Sequence, residues 1–117
     1  MELRTYKWED LEKIRKFFKT TYAELAEKLH CSRQTLYATS RGLYSEEATK
    51  GMIQKIGMAW EIFAIYYVNS FLVTRSIDTH DSYGLLLDYI SYCNEHPNDE
   101  PRYPNFGAWY MSDDCDY

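Results

Sequence analysis

At 117 residues the chain is long enough for one domain with a modest core. A hydrophobic share of 45% and a charged share of 26% fit an ordinary globular protein and exclude a disordered polar chain. The net charge of −5 is unfavourable for a nucleic-acid binder taken as a whole. Residues 1–77, however, carry 12 basic and 9 acidic side chains, a net +3, whereas 78–117 carry 1 and 9, a net −8.

Residues 1–7 read as a short lead, and Met1-Glu2-Leu3-Arg4 is followed by no apolar stretch of the secretory type. Three scattered cysteines, Cys31, Cys93 and Cys115, argue against a disulfide framework and for a reducing cytoplasm. From Trp8 to about Lys19 the pattern is a basic amphipathic helix, with Trp8, Leu11, Ile14, Phe17 and Phe18 on its apolar side.

Thr21-Tyr22-Ala23-Glu24 is a capping box: the threonine hydroxyl can accept from the Glu24 N–H, and Glu24 can reach back to the Thr21 N–H. Tyr22, Leu25, Ala26 and Leu29 then recur at helical spacing. His30-Cys31-Ser32 interrupts that face. Ser32 is a good N-cap for a second short helix from Arg33 to about Ser40, with Leu36 inward and Gly42 able to stop it in a left-handed conformation. Two short helices joined by a three-residue turn are the helix-turn-helix plan, whose second helix enters the major groove of DNA.

The run Leu25-Ala26-Glu27-Lys28-Leu29-His30-Cys31-Ser32-Arg33-Gln34-Thr35-Leu36 resembles the core of the Cro/cI-like (XRE) helix-turn-helix family, which usually reads L-A-x-x-L-G-V-S-x-x-T-I. The register continues into Arg41-Gly42, Leu11-Glu12-Lys13-Ile14-Arg15 resembles the family's first helix, and the likeness covers roughly residues 8–57. It departs from the pattern at three places. His30 replaces the turn glycine and must itself go left-handed, Thr39 replaces an aromatic, and Ser40 replaces a glutamate that would pair with Arg15. The resemblance implies a lambda-repressor-like fold and puts DNA-facing positions at Tyr22, Ser32, Arg33, Gln34, Tyr37 and Ala38. The chemistry agrees. Arg33 suits guanine O6 and N7, Gln34 suits adenine N6 and N7, and Ala38 suits a thymine methyl. Lys28, Thr35 and Arg41 could hold phosphates.

Leu43-Tyr44 reads as a loop and Ser45 as the cap of a further helix, with Glu46 and Glu47 favoured by its dipole. Gly51 and Gly57 each weaken that helix by about 1 kcal/mol, and Gly57 is a candidate break between two helices. The most apolar run, MAWEIFAIYYVNSFLV from Met58 to Val73, is too short and too interrupted for a membrane span. Apolar on nearly all sides, it calls for cover on nearly all sides, as a central helix or a homodimer contact.

Residues 75–81 read as a polar link. Asp81 or Ser82 caps a helix to about Glu95 with Leu85, Leu86, Tyr89, Ile90 and Cys93 as its stripe. The three prolines between His96 and Asn105 exclude helix there, and the remainder alternates poorly and ends acidic. The C-terminal residues are too few for a core of their own and must pack on the apolar run or on a partner.

Cys93 and His96 form a C-x-x-H pair without the second pair a zinc site needs, and no cofactor is implied. No catalytic fingerprint such as G-x-S-x-G or H-E-x-x-H occurs, so the chain does not read as an enzyme.

The expected architecture is therefore all-α: residues 1–75 as a helix-turn-helix domain with a long apolar helix, and 76–117 as a helix and acidic tail on the same core or on a dimer partner. The expected function is sequence-specific binding of double-stranded DNA by a homodimeric transcriptional regulator, a repressor. The alternative is a phage-type inhibitor of a host defence system, anti-CRISPR-like in size and acidity, that binds a protein through the acidic, tyrosine-rich C-terminal surface on a helix-turn-helix scaffold.

Overall fold

The computed structural model describes residues 4–71, 81–96 and 105–112. Among these the chain is all-α, without strands: α1 (Trp8–Phe17), α2 (Tyr22–Leu29), α3 (Arg33–Ser40), α4 (Glu46–Asn69), α5 (Ser82–Glu95) and α6 (Phe106–Tyr110). The link at 75–80, the proline-containing segment 97–104 and the acidic end 113–117 lie outside the described residues. The chain divides into two compact units, Met1–Trp60 and Glu61–Tyr117, with the boundary inside α4.

In the first unit the helix ends follow from local chemistry. α1 stops two residues before Lys19, which turns left-handed with φ 54°. The capping box at Thr21 is complete: the Glu24 N–H donates to Thr21 Oγ1 at 3.1 Å, and the Thr21 N–H donates to Glu24 Oε1 at 3.2 Å. These bonds hold the Glu24 pKa below the usual carboxylate value. α2 ends at His30, which is left-handed with φ 56°. Ser32 caps α3 by accepting from the Thr35 N–H at 3.2 Å, and Gly42 follows with φ 66°. Ser45 caps α4, accepting from the Ala48 N–H at 3.2 Å.

The buried apolar side chains of this unit are Tyr6, Leu11, Ile14, Leu25, Ala26, Leu29, Leu36, Ile56 and Trp60. Ile14, Leu36 and Ile56 are closed off almost completely, and each contributes roughly 1.5–3 kcal/mol. The polar Thr39 is buried with them. Its hydroxyl is satisfied by donation to the Thr35 carbonyl at 2.8 Å, so it leaves no unpaired donor there.

Gly57 is not a break: α4 runs through it without interruption. Its role is close approach. The Tyr6 ring lies where a side chain at 57 would begin, and a Cβ there would overlap it. Phe18 stacks near Trp60, ring centroids 6.2 Å apart, and ties the residue after α1 to the same stretch of α4.

The second unit buries Ala64, Val68, Tyr83, Leu85, Leu86, Tyr89, Ile90, Phe106 and Trp109. Phe106 is its hub: its ring lies 5.5 Å from Tyr89, 5.8 Å from Trp109 and 6.1 Å from Tyr67, mostly in edge-on or tilted geometry. The C-terminal helices thus use the end of α4 as part of their core. Asp81 is the residue that caps α5, accepting from the Gly84 N–H at 3.1 Å. The stretch after 105, expected to be irregular, is the one-turn helix α6. Asn105 caps it by accepting from the Ala108 N–H at 3.0 Å, and Phe106 and Trp109 turn the same buried side inward. Burial pushes the Tyr89 phenol and the Cys93 thiol up, and the Tyr89 hydroxyl pulls the thiol partly back.

The apolar end of α4 is covered less completely than its composition suggests. Ala64 and Val68 are buried, but Ile62 is 57% and Tyr66 74% exposed, four residues apart on the other side. Among the described residues no helix is long and apolar enough to cross a membrane.

Candidate nucleic-acid interface

α2 packs against α3, and the three residues 30–32 join them. With Leu36 and Thr39 buried, α3 turns the remaining positions outward: Arg33, Gln34, Tyr37 and Arg41 are exposed, and Ala38 is half-buried beside them. Offsets of 0, 1, 4, 5 and 8 from Arg33 place all five on one helical face. Among the described residues the Arg33, Gln34 and Arg41 side chains have no intramolecular hydrogen bond or ion pair. Gln34, Tyr37, Ala38 and Arg41, together with Leu43, line a shallow, mainly apolar groove of about 450 Å³.

The other expected contact residues are placed differently. The Ser32 and Thr35 hydroxyls lie 2.8 Å apart, and Ser32 also caps the helix, so both serve the start of α3. Lys28 shares a separate shallow recess with Glu24, Glu27 and His30, and the Glu24 carboxylate feels its charge. Tyr22 is half-buried and committed inside the protein. Its hydroxyl donates to Glu12 Oε1 at 2.5 Å, and the Arg15 guanidinium lies 4.3 Å from its ring centroid.

Arg15, expected to lack an acidic partner because Ser40 stands in place of a glutamate, has one on its own helix. Its Nη2 and Nε donate to Glu12 Oε2 at 2.6 and 3.0 Å, and its Nη1 donates to the Thr20 carbonyl at 2.9 Å. Burial, followed by the Glu12 hydrogen bond, drives the Tyr22 phenol up to about 12, with Arg15 and the Ser40 hydroxyl pulling partly back. Tyr22 in turn meets Tyr37 edge-on, ring centroids 4.8 Å apart and planes at 83°. Side chains from α1, α2 and α3 therefore converge on one ring. Glu12 was legible as the i, i−3 neighbour of Arg15 on a basic helix; Leu43 carried no signal beyond its place in a loop.

The chain matches no protein-family model, no curated protein and no solved structure.

Proposed function

We propose that this protein binds double-stranded DNA in a sequence-specific way and acts as a repressor-type transcriptional regulator, with α2 and α3 as a helix-turn-helix of the Cro/cI-like kind. One observation carries the reading: α3 offers Arg33, Gln34, Tyr37 and Arg41 on a single exposed face, with both charged side chains unpaired among the described residues. Exposed guanidinium and amide groups on a short, firmly capped helix are what base edges and phosphates require. The N-terminal residues supply the basic half of the charge distribution. One such helix reads few base pairs, so the regulator works as a homodimer on two half-sites about one helical turn apart. The exposed Ile62 and Tyr66 of α4 are the apolar surface offered for that pairing.

The test is a selection of random duplex DNA on the purified full chain, with the enriched site titrated across salt. A palindrome whose affinity falls steeply with salt is the expected result. Absence of enrichment, with feeble binding at low salt only, overturns the reading. That outcome would favour the second one, a protein-binding inhibitor of a defence system, which the net −8 of residues 78–117 supports as a surface for a basic partner.

A further inference from the structure

The groove beside α3 mixes apolar and hydrogen-bonding side chains. Tyr37 is 43% and Leu43 69% exposed, Ala38 sits between polar neighbours, and the polar Gln34 and Arg41 complete the lining. Two large apolar side chains left open to water next to unpaired hydrogen-bonding groups suit a surface that is part methyl and part donor or acceptor. In the major groove thymine alone presents a methyl group, next to its O4 acceptor, and the paired adenine presents N6 and N7.

The wall formed by Tyr37 is held in place from behind. A tyrosine on an exposed helix face ordinarily samples several rotamers. Here the Tyr22 ring meets it edge-on at 4.8 Å, and Tyr22 is itself fixed by Glu12 through its hydroxyl and by Arg15 across its face. α1 thus shapes the groove without taking part in it.

We propose that the groove lined by Gln34, Tyr37, Ala38, Arg41 and Leu43 receives the methyl edge of a thymine, and that Tyr22 is the positioning residue that sets its Tyr37 wall. The proposal rests on the duplex-DNA reading and adds to it an A·T pair at a defined place in each half-site, with Gln34 available to the adenine.

The experiment replaces each thymine of the selected duplex with uracil, one position at a time, which removes the C5 methyl and leaves base pairing intact. One thymine in each half-site is expected to show a loss of about four-fold, the equivalent of one buried methyl group. Y37A brings the thymine-to-uracil ratio at that position to one, and L43S, in the exposed loop, lowers it. Y22F keeps both rings but loses the Glu12 bond. It lowers the ratio while leaving the dependence of affinity on salt unchanged, which a general loss of folded protein would not do. Equal binding of thymine and uracil duplexes at every position, or a ratio unaltered by Y37A and L43S, overturns the groove assignment while DNA binding stands. A ratio unaltered by Y22F overturns the positioning role. Failure to bind any duplex overturns the DNA reading and this proposal together.

Discussion

The hydroxyl of Tyr22 donates to Glu12, ten residues earlier, at 2.5 Å, and Glu12 at the same time holds Arg15 at 2.6 Å. One carboxylate therefore serves two donors and keys α1 to α2, and the Tyr22 ring carries the contact on to Tyr37 of α3. Tyr22→Phe removes one donor, keeps both aromatic rings and the Glu12–Arg15 pair, and leaves the Tyr22 ring less firmly held against Tyr37. The expected cost is about 1 kcal/mol of unfolding free energy, less than a fully buried charged hydrogen bond because the site is partly open and Glu12 keeps a partner. Urea unfolding of the wild type and Tyr22→Phe at neutral pH measures it, with an unchanged m-value marking a native-state effect.

The same cluster gives a pH dependence. An unfolded tyrosine ionises near pH 10, whereas Tyr22 in the folded chain is pushed up to about 12, by burial first and the Glu12 bond second. Folding then favours the protonated phenol. The contribution is complete below pH 10 and is lost as pH rises from 10 to 12. The stability gap between wild type and Tyr22→Phe is expected to narrow across that window and to be constant from pH 7 to 9. A gap that widens with alkaline pH would contradict the cluster.

Two glycines in α4 predict opposite outcomes for one substitution. At Gly51 an added Cβ meets nothing within 4 Å, so Gly51→Ala is expected to stabilise by up to about 1 kcal/mol through helix propensity. At Gly57 the added atom overlaps the Tyr6 ring, which is itself buried. Gly57→Ala is expected to destabilise by about 1–3 kcal/mol despite the same propensity gain. Thermal unfolding of the two variants in parallel separates helix propensity from close approach.

That contrast also marks what could be read from the sequence. Caps are local: Thr21, Ser32 and Ser45 each sit where their residue type and spacing put them, and of the two candidates Asp81 and Ser82 the structure uses Asp81. The left-handed His30 is an expectation of the family resemblance, whose pattern has a glycine at that place, and not of spacing. Gly57 reads as a break because propensity is local, while the reason for it, the Tyr6 ring, lies 51 positions earlier in the chain. α6 was missed because five residues carry too little periodicity to register. At the candidate interface, the outward set on α3 follows from the position of Leu36. The inward commitment of Tyr22 does not: it needs the angle between α1 and α2, which spacing leaves undetermined.

The exposed side of α4 supplies a prediction about assembly. Ile62 and Tyr66 stand four residues apart, more than half exposed, on a helix whose other side is packed. Tyr66→Glu places a charge on that face without touching the buried Ala64 or Val68. Sedimentation equilibrium is expected to show a dimer for the wild type and a monomer for Tyr66→Glu, with helix content by circular dichroism unchanged. A wild type that remains monomeric at high protein concentration removes this face from the account of DNA binding.

Arg33 and Lys28 put the proposed interface to the test, one an exposed cation on α3 and the other a cation set among carboxylates. Arg33 is exposed at the start of α3 with no carboxylate paired to it among the described residues, whereas Lys28 shares its recess with Glu24 and Glu27. A cation that meets a phosphate displaces a condensed counterion, so its removal lowers the slope of log affinity against log salt by about one per contact. A lysine held near two carboxylates displaces less. If Arg33 reads a guanine instead, its loss weakens binding mainly at one position of the site and leaves the slope nearly intact. Arg33→Ala is therefore expected to weaken binding about five- to 150-fold, on the order of 1–3 kcal/mol, either with a changed slope or with relaxed preference at one base pair. Lys28→Ala is expected to change neither the slope nor the preference appreciably. Salt titrations of both variants on the selected duplex decide it, and a larger slope change for Lys28→Ala than for Arg33→Ala would move the interface from α3 to α2.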